Sequence, residues 1–247
     1  QRPVYYSRLI EKSNNNLGLA WKIRATNSEA SLNELQVQTH FRSIENHSKL
    51  IEETIDNSNS YFGRGIDFML IQDYAIAIDD FSKVIEKKPE FALAYFARAL
   101  ARTKQIESNL DVQENRTPFL DASSRAKFPL VKEKVLAGDK PFVPEVSQKT
   151  LEYDGILKDY EKVISLVPDF IYAYYNRAEI LSIQKDYRGA ISDYTEAIKL
   201  EPQFAEAYFN RGLIKLAVGE TTSGLDDLRK AGELGVVESY SIIKRMQ

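Results

Sequence analysis

Arginine and aspartate recur in this sequence with a regular spacing. The arginines stand at Arg64, Arg98, Arg177 and Arg211. The aspartates stand at Asp80, Asp159, Asp193 and Asp227. In three of the four pairs the aspartate follows the arginine by 16 residues, and a guanidinium can bind a carboxylate through two parallel hydrogen bonds. Because a single ligand site does not need four copies, we predict structural ion pairs between paired helices or between neighbouring repeats. An arginine-lined groove for anions is the alternative.

The residue types that enzymes and metal sites use most are scarce. The 247 residues include no cysteine and two histidines, which excludes disulfides, a thiol nucleophile and thiolate metal sites. His40 and His47 are seven residues apart and share a helix face, but no acidic pair in the sequence completes a metal site around them. No glycine-rich phosphate loop, HExxH or GxSxG motif occurs. We therefore expect no catalytic activity, no cofactor and no metal.

The charge and hydropathy patterns argue against two further classes of protein, those that bind nucleic acid through an overall basic surface and those that span a membrane. The net charge is −3, so no overall basic field attracts nucleic acid. The longest apolar segment, 91–101, contains Arg98 and is shorter than the ~18 residues that indicate a membrane span. The absence of cysteine fits the cytoplasm and an exported protein equally well. Because the sequence begins at Gln1, export followed by signal removal stays open, and the compartment is not predicted.

A motif with a period of 34 residues organises the sequence. A pair of aromatic residues precedes each arginine, in segments 61–65, 95–99, 174–178 and 208–212. The first residues of these segments are separated by 34, 79 and 34 residues, and 79 is one period plus 45. A second motif, in segments 74–91, 153–170 and 187–204, closes with a proline and an aromatic residue. The pattern of each repeat therefore predicts two helices. The second helix ends at the proline, because proline has no amide hydrogen.

Small residues recur in both helices of a unit. They stand at Gly65, Ala99, Ala178 and Gly212 in the first helix, and at Ala77, Ala190 and Gly224 in the second. Small side chains let paired helices approach closely. The order of aromatic, small and proline residues over 34 positions resembles the tetratricopeptide repeat, in a bacterial-type member with an insertion inside the second repeat.

This resemblance implies an all-α fold and an arrangement of domains. The expected fold is a right-handed α-α superhelix of four helix-turn-helix repeats, with capping helices and a short irregular N-terminal segment. Repeats 1 to 4 are expected at 58–91, 92–170, 171–204 and 205–236, with the insertion at about 106–150. Segment 1–57 is expected to hold the N-terminal capping helix, and segment 237–247 the C-terminal one, with Val237, Tyr240, Ile243 and Met246 on its apolar face. The insertion is either a variable surface loop or a flap of a binding surface.

The resemblance also implies a surface that binds peptides. In this family the first helices line the concave face, and an asparagine before the arginine holds the backbone of an extended peptide. Asn176 and Asn210 match this pattern, whereas Gly63 and Ala97 do not. The expected peptide-binding residues are Asn176, Asn210, Tyr172, Tyr175, Glu179, Glu206, Phe209, Leu213, Phe96 and Leu100. The alternative is that the two asparagines merely face solvent.

These observations favour a non-catalytic scaffold for protein–protein interaction. The expected partner is a protein or peptide segment of unpredicted identity, bound in the concave groove. The alternative hypothesis is a structural subunit of a larger assembly, which acts through the insertion in repeat 2 or through self-association as a homo-oligomer.

Overall fold

The structure is a computed structural model that describes residues 34–53, 57–113 and 149–246, and every regular element in these ranges is an α-helix. The helices are α1 Glu34–Glu53, α2 Ser58–Leu70, α3 Tyr74–Lys87, α4 Ala92–Gln113, α5 Lys149–Leu166, α6 Ile171–Ile183, α7 Tyr187–Leu200, α8 Ala205–Ala217, α9 Thr221–Glu233 and α10 Glu238–Arg245. The expectations for segment 1–33 and for most of the insertion lie outside the described residues.

The described helices fall into two compact units. The first unit holds α1 to α4 with segment 161–167, and the second holds segment 149–160 with α6 to α10. In the first unit α1 packs on α2, α2 on α3 and α3 on α4. In the second unit each helix from α6 to α10 packs on the next. Aromatic and small residues of the repeat motif fill both cores, as in the buried Phe62 and Phe81 of the first unit and Tyr194 and Ala178 of the second.

The turn between the two helices of a repeat depends on one residue in the left-handed conformation. Three such residues are described, Gln72, Lys185 and Gly219, with φ of 67°, 66° and 91°. The amide of the next residue donates to the carbonyl five positions earlier, as Asp73 N does to Phe68 O at 2.9 Å, which ends the first helix. The side chain of Asp73 then accepts a hydrogen bond from Ile76 N and caps α3.

Repeat 2 does not form this turn at the matching position, which is Ile106, 34 residues after Gln72. A β-branched side chain disfavours the left-handed conformation, and α4 continues through Ile106 to Gln113. Segment 106–113, expected as the start of the insertion, is therefore the end of a helix.

The C-terminal helix packs through a different face from the one expected. Ile242 and Ile243 are buried, whereas Val237 and Tyr240 are 71% and 53% exposed. Of the predicted residues Val237, Tyr240, Ile243 and Met246, only Ile243 is buried, and Val237 precedes α10, which begins at Glu238. The stripe that faces α9 is formed instead by Ser239, Ile242 and Ile243 at spacings of three and four.

The two helices of repeat 4 cross with their backbones in contact. A Cβ atom added to Gly212 on α8 would lie 2.9 Å from the carbonyl oxygen of Gly224 on α9. A Cβ atom added to Gly224 would lie 3.0 Å from the oxygen of Gly212. Because the obstructing atoms belong to the backbone, the helices themselves would have to separate to admit a methyl group.

We predict that Gly212→Ala lowers the free energy of unfolding by about 1–3 kcal/mol, because overpacking outweighs the gain in helix propensity. Urea unfolding followed by circular dichroism measures the difference. The control is Gly232→Ala, where the added methyl group would meet only the ring of Tyr240, an exposed side chain that can rotate. This variant should stay within about 0.5 kcal/mol of the parent protein. Equal effects of the two substitutions would contradict the close crossing.

Candidate functional site

Three arginines join the two helices of their own repeat through paired hydrogen bonds. Arg64 donates from Nε and Nη2 to the two carboxylate oxygens of Asp80, at 2.8 Å each. Arg177 binds Asp193 in the same way at 2.7 Å for both bonds, and Arg211 binds Asp227 at 2.8 and 2.7 Å. The aspartates are buried: Asp80, Asp193 and Asp227. The 16-residue spacing thus corresponds to an ion pair between the helices of one repeat.

Two of these arginines also reach the preceding helix. Arg64 Nη1 donates to Ser48 Oγ at 3.1 Å, and Arg211 Nη1 donates to Thr195 Oγ1 at 2.9 Å. A tyrosine ring one turn earlier packs against each guanidinium, at 5.5 to 5.9 Å from the ring centroid. The four tyrosines are Tyr61, Tyr95, Tyr174 and Tyr208. We call this set of contacts the arginine clasp. It connects the first helix of a repeat to the helices before and after it.

The electrostatics of the clasp combine attraction with a cost of burial. The hydrogen bond to Asp80 raises the pKa of Arg64. Burial raises the pKa of Asp80, although Arg64 opposes the shift, and burial likewise raises the pKa of Asp193 against Arg177. For a buried ion pair the cost of removing both charges from water offsets much of their attraction. The clasp is better understood as a device that fixes geometry than as a net source of stability.

The arginine of repeat 2 shows part of the same pattern. Arg98 Nη1 donates to Ser82 Oγ at 3.0 Å. Asp159 is buried in the second unit, whereas Arg98 belongs to the first. The pairing of Arg98 with Asp159 stays a prediction.

Half of the residues predicted to bind a peptide lie in the core. These residues are 1–5% exposed: Phe96, Leu100, Tyr175, Asn210 and Leu213. These five side chains point into the packed interior and fill the space between helices. The other five residues are partly exposed, and we call them the first-helix face: Tyr172, Asn176 and Glu179 on α6, and Glu206 and Phe209 on α8.

The two predicted asparagines differ in their surroundings. Asn210 Nδ2 donates to the hydroxyl of Tyr175 at 2.8 Å inside the core. Asn176 is partly exposed, and no hydrogen bond of its amide occurs within the described ranges. The amide of Asn176 can therefore offer a donor and an acceptor to a ligand. The amide of Asn210 is already hydrogen-bonded within the core.

A hydrogen-bonded phenol connects α6 with α8 beneath the first-helix face. Tyr175 hydrogen-bonds with the carboxylate of Glu179 and accepts the bond from Asn210. Burial raises the pKa of Tyr175 well above its usual value, and the charges of Glu179 and Glu206 raise it further. Tyr175 is therefore protonated at neutral pH and donates to Glu179. Tyr172 packs edge-on against Phe204, with ring centroids 5.7 Å apart, at the start of α8. These contacts place the two halves of the first-helix face beside each other.

The two histidines flank a buried carboxylate that the sequence analysis missed. Asp67 on α2 is fully buried, with its Oδ1 at 2.9 Å from His40 Nδ1 and its Oδ2 at 3.9 Å from His47 Nε2. A Cβ atom at Gly63 would lie 2.5 Å from His47 Nε2, so glycine makes room for the ring. The sequence does distinguish Asp67, because the matching positions of the other repeats hold apolar residues: Ala101, Ile180 and Ile214.

The described residues show no arrangement of three or more histidine, aspartate or glutamate side chains that could hold a metal ion. Among the helices of the described ranges, none has both the length and the apolar composition needed to cross a bilayer.

Comparison with protein families matches residues 171–204 to the tetratricopeptide repeat. The match spans one full 34-residue period and contains α6, α7 and the ion pair of Arg177 with Asp193. Residues 171–204 are a tetratricopeptide repeat, and the chain has the fold of tetratricopeptide-repeat proteins. The clasp and the first-helix face are thus features of tetratricopeptide repeats in this chain. Curated proteins gave no significant match.

Solved structures share the tetratricopeptide fold. A crystal structure of MamA is 17% identical with a TM-score of 0.57, covering 80% of this chain and 89% of that chain. The MamA RS-1 ArsTM double mutant is 14% identical with a TM-score of 0.59, covering 88% and 96%. TTC0263, a thermophilic TPR protein in Thermus thermophilus, is 11% identical with a TM-score of 0.53, covering 91% and 98%. At these identities the similarity shows the fold.

Two neighbouring aspartates of repeat 4 allow a test of the clasp. Asp227 is buried and binds both Arg211 and Lys215, whereas Asp226 forms an exposed pair with Arg229. We predict that Asp227→Ala lowers the free energy of unfolding by about 3 kcal/mol, because two cations lose a buried counter-ion. Asp226→Ala should change it by less than about 1 kcal/mol. Urea titration of both variants checks the prediction, and a similar cost for the two would refute it.

Proposed function

We propose that this protein is a non-catalytic interaction scaffold, and that it binds an extended segment of a partner protein along the first-helix face of α6 and α8. The observation that carries this proposal is the partly exposed row of aromatic, amide and carboxylate side chains on two consecutive first helices. At the matching positions of repeat 2, buried apolar residues occur, such as Leu93, Phe96 and Leu100. The first helices of the second unit therefore offer polar side chains for contact with a ligand, whereas the matching positions of repeat 2 do not.

The side chains of the first-helix face suit an extended chain. Asn176 can pair with the N–H and C=O of a single residue of an extended peptide. Tyr172 and Phe209 supply aromatic surface that can hold apolar side chains of the ligand. The phenol of Tyr175 and the amide of Asn210 support this surface from below, so that little side-chain freedom is lost on binding.

Selection of peptides from a displayed random library on the purified chain, followed by synthesis of the selected peptides, tests this proposal. We expect Asn176→Ala to weaken their binding by about 3- to 10-fold, the effect of losing about one hydrogen bond. Phe209→Ala should weaken it further through loss of apolar contact. Fluorescence anisotropy gives the dissociation constants.

Ser192→Ala, on the exposed side of α7, serves as the control and should leave these constants unchanged. Asn210→Ala is unsuitable because it removes a bond of the core. Peptides that bind the Asn176→Ala and Phe209→Ala variants as tightly as the parent protein would refute the proposed surface.

A further inference from the structure

Helix α1 has the place that the second helix of a preceding repeat would have. Its Ser48 accepts a hydrogen bond at 3.1 Å from Arg64, which lies 16 residues further along the chain. The second helices α3 and α7 make the same contact, with the same separation of 16 residues and at 3.0 and 2.9 Å: Ser82 with Arg98 and Thr195 with Arg211. Helix α1 therefore contacts repeat 1 as the second helix of one repeat contacts the next repeat.

The side of α1 that would meet a first helix is open. The four matching residues of α3 are 0–3% exposed: Ala77, Asp80, Phe81 and Val84. One period earlier, α1 carries the residues that we call the open face: Ser43, Asn46, His47 and Leu50. Asn46 is exposed and Leu50 is 43% exposed. A first helix packed on the open face, as α2 packs on α3, would bury these side chains.

The sequence before α1 contains the motif of a first helix. Residues 5–9 read YYSRL, which has the two aromatic residues and the arginine of YFGRG at 61–65 and YYNRA at 174–178. Tyr5 precedes Tyr61 by 56 residues, which is one period of 34 plus 22. Repeat 2 carries 45 extra residues between its two helices. A repeat with 22 extra residues between its helices is therefore consistent with the rest of the chain.

The residues around this motif have the start and stop signals of a first helix. Proline is favoured in the first turn of a helix, and Pro3 stands two residues before the aromatic pair. Ile10 matches the buried Ile66 of α2. Asn16 matches Gln72, the left-handed residue of the turn in repeat 1, and asparagine adopts that conformation more readily than most residues. These signals delimit a helix of about the length of α2, which has 13 residues.

We propose that segment 3–15 is the first helix of a fifth repeat, that α1 is the second helix of this repeat, and that the segment docks on the open face. Arg8 matches Arg64, and Asn46 matches Asp80. The guanidinium of Arg8 then donates to the amide oxygen of Asn46, which repeats the clasp with an uncharged acceptor. The partner of the open face is thus a segment of the same chain, and the array of repeats begins before α1.

The chain has no cysteine, so an introduced pair of cysteines tests the docking directly. Leu9 and Ser43 match Gly212 and Gly224 of repeat 4, where an added Cβ atom on the first helix lies 2.9 Å from the backbone of the second. This approach suits the short Cβ–Cβ distance of a disulfide. We expect the full chain with Leu9→Cys and Ser43→Cys to form an intramolecular disulfide on mild oxidation. A non-reducing gel and a count of free thiols measure it.

The matched control is Leu9→Cys with Glu45→Cys. Glu45 is exposed on α1, close to Ser43 along the helix but about 200° around its axis, so this pair should keep its thiols under the same conditions. Circular dichroism checks that both variants keep the helical content of the parent protein. Disulfide-linked dimers of the Leu9→Cys and Ser43→Cys variant would assign the open face to a second copy of the chain and overturn the proposal. Equal oxidation of the two pairs, or none, would also overturn it.

Discussion

A guanidinium that is held between helices must find its hydrogen-bond partners within the protein, and this constraint organises the repeats. Arg64 and Arg211 meet it with a carboxylate on the following helix and a hydroxyl on the preceding one. Neither partner can shift along its helix without breaking a bond. Because desolvation offsets much of the attraction in a buried ion pair, the paired hydrogen bonds define the register of the helices more than they add to stability.

The clasp also fixes the rotation of a first helix about its own axis. Successive residues of an α-helix point about 100° apart. With Arg177 turned toward Asp193, the preceding Asn176 lies about 100° around the helix, on the side that carries Tyr172 and Glu179. The residue types at these positions can therefore vary while the contacts that hold the repeats together stay the same. Repeat 2 buries Leu93 and Leu100 at the positions where repeat 3 has the partly exposed Tyr172 and Glu179.

Much of the fold was predictable because each structural contact is repeated. The 34-residue period, the helix pairs and the spacing of Arg177 to Asp193 are visible in the sequence, and the structure has the same all-helical repeats. The extension of α4 was missed because the expected boundary came from counting residues. A left-handed residue is required for the turn, and Ile106 does not provide it.

The sites were less predictable, because their properties depend on single neighbours. Asn176 and Asn210 have the same place in the motif, but only Asn210 meets a hydroxyl, that of Tyr175. Likewise, the role of His40 and His47 depends on Asp67, a residue outside the repeat pattern. Such contacts between non-repeated residues leave no periodic signal.

The most direct test of the account is a double-mutant cycle on the clasp of repeat 3, with Arg177→Gln, Asp193→Asn and the two combined. Urea unfolding of the four proteins gives the coupling free energy between the side chains. A buried bidentate pair that fixes the helix register predicts a coupling of about 2 kcal/mol or more. A value under about 0.5 kcal/mol, as for an exposed surface pair, would contradict the account.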